Sequence, residues 1–147
     1  MSTRLTRRIG LLLTLLLTTA VFGLAFSSSN EVVDAQTGTW TGTVYSDTNF
    51  GTSIGTVSYS SAQLQSLSFG AGGPPVTNAP SDNFSIRFTS QQVFNTGSYQ
   101  IRLIADDRAT LTINGQQIAV VTGPNQPVTV NYQVQLSSTL NLQLDYV

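Results

Sequence analysis

Two adjacent carboxylates, Asp106 and Asp107, follow directly on the apolar segment 98–105 and precede a hairpin over 110–118. Adjacent carboxylates repel each other, and a strand points neighbouring side chains to opposite faces. Both can therefore serve one site only where the backbone bends and a cation neutralises them. Calcium is the natural candidate, because it takes roughly six to eight oxygen ligands and prefers carboxylates among them.

The elements that must position this pair are predicted to be strands. Apolar and polar residues alternate in several segments, and β-branched and aromatic residues dominate, which is typical of half-buried strands. The pair Asn114-Gly115 predicts a two-residue hairpin, because both central residues of a type I′ turn need positive φ. Residues 60–68 fit either a short helix or another strand. The predicted strands are 39–45, 54–59, 83–89, 99–105, 110–113, 117–121, 128–136 and 140–146.

This spacing of short strands and Gly- and Pro-rich loops predicts an all-β, antiparallel sandwich or barrel-like domain. With 147 residues, the chain has room for one domain of ordinary size. We assign the β domain to residues 36–147.

The N-terminal residues 1–35 differ from the rest of the chain. Three arginines, at positions 4, 7 and 8, precede an uncharged apolar stretch over 9–26, and a small residue, Ala35, stands where a signal peptidase would cut. The segment is expected to be a hydrophobic helix, either a cleaved signal peptide or an uncleaved membrane anchor. Both alternatives deliver the domain to the outside or to the extracellular face of the membrane, and the membrane is expected to be contacted only through this segment.

The composition after position 36 excludes several classes of function. It contains three arginines, five aspartates and no lysine, glutamate, histidine or cysteine. Disulfides, thiol chemistry and zinc sites of the usual nitrogen and sulfur type are therefore excluded. Nucleic acid is not an expected partner, because binding to phosphate backbones begins with clustered lysine and arginine.

Several motifs together resemble one family. They are Trp40 opening a Gly-Thr-Val-Tyr strand, Asn49-Phe50-Gly51, the run 82–88, Thr96-Gly-Ser-Tyr99, Ala105-Asp-Asp107 and Leu111-Thr-Ile-Asn-Gly115. In order and spacing the segment 36–147 resembles the PA-fourteen domain, named after the fourteen-kilodalton fragment of anthrax protective antigen. The most specific element is the run from Gly97 through the two aspartates to Gly115.

The resemblance implies a β-sandwich of surface proteins, adhesins, glycosidases and toxins. It also implies that Asp106 and Asp107 hold a calcium ion across a cis peptide and that the metal binds sugar hydroxyls. Two residues depart from the family pattern. Arg108 stands where glycine is usual, and the later asparagine ligand has no secure counterpart, for which Asn125 is chosen from its place in a loop. Phe50, in a Gly-containing loop, is a candidate for stacking on a sugar ring.

Two hypotheses follow for function. The first is an exported carbohydrate-binding, lectin-like or adhesin-like module that binds a glycan or cell-surface polysaccharide, with calcium at Asp106 and Asp107. The second is a metal-free structural or protein-interaction domain whose partner is another surface protein, in which the two aspartates only close a turn and Arg108 neutralises one of them. No catalytic residues are predicted, because adjacent carboxylates do not suit glycoside hydrolysis, which needs two of them about 5 to 9.5 Å apart across a cleft.

Overall fold

The computed structural model describes residues 9–16, 32–33, 38–124 and 126–147. Asn125, one of the predicted ligand-binding residues, lies outside the described residues. The described part is built almost entirely of antiparallel strands, which confirms the all-β prediction. The strands are β1 (Ile9–Leu16), β2 (Val32–Val33), β3 (Thr39–Tyr45), β4 (Ser53–Ser60), β5 (Ser85–Phe94), β6 (Gly97–Ala105), β7 (Ala109–Ile113), β8 (Gln116–Val121), β9 (Val128–Val134) and β10 (Ser138–Tyr146).

The strands form two sheets. The larger has six strands in the order β4-β3-β5-β10-β7-β8, and the smaller has four in the order β2-β1-β6-β9. The hairpin between β7 and β8 turns at Asn114 and Gly115, with φ of 49° and 81°. Both angles are positive, as the sequence predicts for this turn.

The core lies between the sheets, on the inner faces of the alternating strands. In β5, Ile86, Phe88 and Phe94 are at most 1% exposed, whereas Thr89 and Gln91 between them are exposed. The central strand β10 follows the same alternation, with Leu140, Leu142, Leu144 and Tyr146 buried. Alternation therefore gives the large sheet one apolar inner face and one polar outer face.

Residues 60–68, which the sequence left undecided, contain a short helix. Helix α1 (Ser61–Gln65) begins after Ser60, whose hydroxyl accepts a hydrogen bond from the Gln63 amide at 3.2 Å. The Gln63 side chain in turn accepts one from the Ser60 amide at 2.8 Å. This capping box satisfies two amide groups that the first turn of a helix leaves without partners, and it fixes where the helix starts. Leu64 is the buried residue of the helix.

The N-terminal segment was predicted to be a helix, but its described residues form strands. Residues Ile9–Leu16 are strand β1, which pairs antiparallel with β6 from Ile9 opposite Ala105 to Thr14 opposite Gln100. An uncharged apolar segment can satisfy its backbone groups at an open sheet edge as well as in a helix, and the edge of β6 offers such a partner. Among the residues that the structure describes, no helix has the length and apolar character needed to span a bilayer.

Candidate functional site

The two predicted aspartates lie in the bend between β6 and β7, at one end of the sandwich. The chain bends here because it passes from β6 of the four-stranded sheet to β7 of the six-stranded sheet. Asp106 and Asp107 are half-buried, and Arg108 after them is exposed. The Arg108 carbonyl accepts a hydrogen bond from the Val147 amide at 2.9 Å, which holds the bend against the last residue of the chain.

The peptide that joins Asp106 and Asp107 is trans, so the cis geometry implied by the family resemblance is wrong for this structure. Trans is the ordinary form for a residue other than proline. The Asp106 carboxylate accepts a hydrogen bond from the Tyr146 hydroxyl at 3.0 Å. Since Tyr146 is fully buried, this bond ties Asp106 to the aromatic core beneath the bend.

Asp107 lines a surface hollow of about 600 Å³ at the same end of the sandwich. Five segments that lie far apart in the sequence meet there. The lining residues are Thr48, Asn49, Asn83, Asp107, Arg108, Thr122, Gly123, Pro124 and Val147. The hollow therefore combines one carboxylate and one guanidinium with hydroxyl and amide side chains, all of which can hydrogen-bond to a polar ligand.

The loop that supplies Thr48 and Asn49 is ordered by Asp47. One carboxylate oxygen of Asp47 accepts hydrogen bonds from the amides of Asn49 at 2.8 Å and Gly51 at 2.9 Å, and the other accepts one from Thr52 at 2.9 Å. These bonds, led by the one from Gly51, hold the pKa of Asp47 below its usual value. Asp47 does not line the hollow but shapes the loop that does, a role that is not predicted from the sequence, although an Asp in a Gly-containing loop is a recognisable turn signal.

This loop should lose its order in acid. A carboxyl whose pKa is lowered by folding favours the ordered loop above its ordinary value of 3.8, and that contribution is lost as the pH falls through the lowered value. We expect the amide resonances of Gly51 and Thr52 to shift in NMR spectra recorded below about pH 4. In the Asp47→Asn variant, the pH-dependent part of these shifts should disappear. Equal shifts in both proteins would contradict the assignment of the titration to Asp47.

Phe50 is carried by the same loop but lies over the large sheet. Its backbone has φ of 59°, and the Arg87 guanidinium lies 4.8 Å from the centroid of its ring. The Tyr45 ring contacts Phe50 edge to face at 5.5 Å. The structure therefore places Phe50 beside the outer face of the sheet and not among the residues lining the hollow that contains Asp107.

Arg87 is itself fixed by Asp145, its register partner on β10. The guanidinium donates two hydrogen bonds to the carboxylate, at 2.8 and 2.9 Å. The bond to the carboxylate raises the pKa of Arg87. This pair was not predicted, because it joins two strands that are far apart in the sequence.

The oxygen atoms around the hollow are of chemical types that can coordinate calcium. The Asp107 carboxylate, the Thr48 hydroxyl and the side-chain amide oxygens of Asn49 and Asn83 are ligand types that calcium accepts. Within residues 38–124 and 126–147, no three acidic side chains lie together as a metal-binding group. Calcium in the hollow would therefore depend on amide, hydroxyl and ligand oxygens for most of its coordination.

Comparisons with known proteins support the fold. No family model matches the chain, and no curated protein matches it. Among solved structures, the chain is similar to an anti-sigma factor domain-containing protein from Clostridium clariflavum, with a TM-score of 0.54 and 17% identity over 86% of this chain and 42% of that one. It is also similar to a β-glucosidase from Kluyveromyces marxianus solved in complex with glucose, with a TM-score of 0.52 and 12% identity over 73% of this chain.

The chain spans 14% of the length of the β-glucosidase. A second anti-sigma factor domain-containing protein gives a TM-score of 0.54 and 12% identity, with 82% of this chain and 41% of that one covered. At these identities the likeness is one of fold, because one scaffold can carry unrelated functions. The chain therefore has the fold of a β domain that occurs within larger proteins.

Proposed function

We propose that this chain is an exported or cell-surface carbohydrate-binding domain of PA-fourteen type, with its ligand in the hollow that contains Asp107. The observation that carries the proposal is the meeting of Asp107 with Thr48, Asn49 and Asn83 around a space of about 600 Å³. Carboxylate, hydroxyl and amide groups are the partners that sugar hydroxyls need, since each hydroxyl both donates and accepts. The fold likeness to a β-glucosidase solved with glucose is compatible with this class of ligand.

The proposal includes calcium as the cation that joins Asp107 to the sugar. When bound, the metal would accept oxygens from the glycan in addition to those of the protein. Asp107, Asn49 and Asn83 would hold it, and Arg108 would oppose it because a fixed positive charge beside a cation lowers the cation's affinity. Binding without hydrolysis is proposed because the two neighbouring aspartates share one bend and leave no cleft between them for a glycosidic bond.

A metal-free protein-interaction domain is the second candidate. The observation in its favour is that Asp106 already has a protein partner, the Tyr146 hydroxyl at 3.0 Å. Arg108 in the same hollow would supply the positive charge that calcium supplies in the first candidate. The two candidates therefore differ in whether binding requires a metal.

Calcium titration calorimetry on the full chain separates them. We expect heat of binding in the parent protein and none in the Asp107→Asn variant. Calcium at about 100 times its dissociation constant should also stabilise the parent fold by about 2.7 kcal/mol. The Arg108→Ala variant should bind calcium more tightly than the parent, because it removes the opposing charge.

The matched control is Asp82→Asn, which makes the same change of charge at an exposed residue. The Asp82 carboxylate accepts a hydrogen bond from the Asn83 amide at 2.9 Å, and Asp82 is not among the residues lining the hollow. This variant should keep calcium binding. Absence of heat in the parent would refute the calcium site, and screening of neutral oligosaccharides in EDTA would then decide whether the hollow binds glycans without metal.

A further inference from the structure

The outer face of the six-stranded sheet carries an ordered array of uncharged polar side chains. Thr41 of β3 lies opposite Thr89 of β5, Thr89 lies opposite Gln143 of β10, and Gln143 lies opposite Thr112 of β7. These four residues form one row across four neighbouring strands. Since strands lie about 4.8 Å apart, the row is about 14 Å long.

A second row runs beside the first, towards the end of the sandwich opposite the bend at Asp106. Gln91 of β5 lies opposite Asn141 of β10, and its side-chain amide donates to the Asn141 side-chain oxygen at 2.9 Å. Both rows border a shallow hollow of about 500 Å³. Its lining has hydroxyl and amide groups and no charged side chain, so it attracts neither anions nor cations.

Two aromatic rings lie at the other end of this outer face. Tyr45 closes β3, six residues after Thr39, and it contacts Phe50 at 5.5 Å between ring centroids. Strands rise by about 3.3 Å per residue, so the face measures about 20 Å along β3. The charged pair between the rings and the polar rows, Arg87 and Asp145, is neutralised by its own two hydrogen bonds.

From this arrangement we infer that the outer face of the large sheet is a second binding surface, which holds an extended, neutral polysaccharide chain. Neutral polysaccharides present hydroxyl groups along their length, which match the rows of Thr, Gln and Asn side chains. Tyr45 and Phe50, both half-buried at one end, offer the ring surface that Arg87 leaves uncovered to the apolar side of a sugar ring. The uncharged lining favours a neutral chain over an acidic polysaccharide or a charged peptide, which would lose hydration without gaining an ion pair.

The length of the face sets its specificity. A ligand that contacts both the rings and the Gln91 row must extend over most of the 20 Å estimated from the rise of β3. Affinity should therefore rise with chain length until this distance is covered. The surface acts without calcium, because no carboxylate lines its shallow hollow. This inference rests on the proposed carbohydrate ligand class but uses none of the residues lining that hollow.

The test is native affinity electrophoresis of the full chain in gels that contain soluble neutral polysaccharides, namely hydroxyethylcellulose, laminarin or galactomannan, with EDTA present. We expect retardation by at least one of them. Replacement of Gln91 and Asn141 together by Ala should weaken binding roughly ten-fold, since two hydrogen bonds contribute about 0.5–1.5 kcal/mol each. The fold should survive, because both side chains are exposed and their mutual bond is removed as a pair.

The control variant is Asn131→Ala, an exposed amide side chain on β9 of the small sheet, which should bind like the parent. Oligosaccharides of two and six sugar units, titrated by calorimetry, should show that only the longer binds measurably. Equal retardation of the parent and the Gln91, Asn141 double variant would overturn the inference, and so would an absence of retardation in all three gels. Stronger binding to carboxymethylcellulose than to hydroxyethylcellulose would overturn the assignment to neutral chains.

The experiments distinguish failure of the sheet-face inference from failure of the proposed calcium site at Asp107. If the Asp107→Asn variant keeps EDTA-resistant retardation while the parent shows no calcium binding, the sheet face stands and the calcium site does not. If calcium binds at Asp107 and the double variant is retarded like the parent, the reverse holds. The two surfaces can therefore be judged separately with the same set of proteins.

Discussion

The Phe84→Ala variant should lose about 3–5 kcal/mol of unfolding free energy, the range found when a large aromatic residue is removed from a packed core. Phe84 is fully buried, and its ring meets Phe69 at 5.4 Å and Tyr146 at 6.0 Å between centroids. Truncation leaves a cavity among these rings directly below the bend at Asp106. Urea denaturation followed by circular dichroism measures the loss as a shift of the midpoint.

The same substitution should weaken the site, because Tyr146 holds Asp106 through its hydroxyl. A Tyr146 ring that has lost one neighbour is free to move, and the bend moves with it. We expect calcium or glycan binding to fall in Phe84→Ala at temperatures where the protein is still folded. Val93→Ala, at a residue that is 60% exposed, is the control and should change stability by no more than about 0.5 kcal/mol. A similarly small change in Phe84→Ala would show that the ring cluster does not support this end of the fold.

Much of the fold could be predicted from the sequence because the alternation of apolar and polar residues is local. Strand β3 was predicted with its observed bounds, Thr39–Tyr45, and its inner and outer residues follow the alternation. Strand β5 extends five residues beyond its predicted end, from 89 to Phe94. The reason is that Ser90 and Gln92 point inwards where apolar residues are usual. Their burial depends on hydrogen bonds to Thr39 and to each other, which no local pattern reveals.

The helix over Ser61–Gln65 could be predicted from the sequence. Ser60 and Gln63 have the spacing of a capping box, which favours the helix over a strand for the segment that was left undecided. The start of β5 differs from the prediction. Asn83 was predicted to begin a strand, but it has φ of 56°, and the strand begins at Ser85. Asparagine adopts this left-handed conformation more readily than other residues with side chains, so the run 82–84 turns before it extends.

The site was predictable only in its centre. Adjacent aspartates between two strands indicated a bend with clustered charge, and the structure places both residues there. Their surroundings come from residues 48–49, 83 and 122–124, which meet only because the sheets bring several loops to one end of the sandwich. The separation of Phe50 from Asp107 has the same origin. Phe50 follows the loop ordered by Asp47 back towards Arg87, a residue whose position depends on the pairing of β5 with β10.

The Trp40→Ala variant should lose a similar 3–5 kcal/mol, but without direct damage to the hollow that contains Asp107. Trp40 is 2% exposed and lies at the end of β3 remote from Tyr45 and the loop ordered by Asp47. Its indole N–H donates to the Ser61 hydroxyl at 3.2 Å, which in turn donates to the Gly38 carbonyl at 3.2 Å. The truncation therefore leaves a cavity and removes the donor to the hydroxyl of Ser61, the first residue of helix α1. Trp40→Phe, which keeps an aromatic ring in the core and loses only the N–H, should cost less.

Comparison of the Trp40→Ala and Phe84→Ala variants separates loss of stability from loss of calcium binding. Effects at distant positions without shared contacts add, so calcium should stabilise Trp40→Ala by the same increment as the parent, measured as the shift in thermal midpoint on adding the metal. In Phe84→Ala the increment should be smaller, because the cavity lies next to Tyr146 and Asp106. Equal increments in both variants would mean that the Tyr146 hydroxyl does not transmit core packing to the bend. A smaller increment in Trp40→Ala alone would place the metal at the other end of the sandwich, away from Asp107.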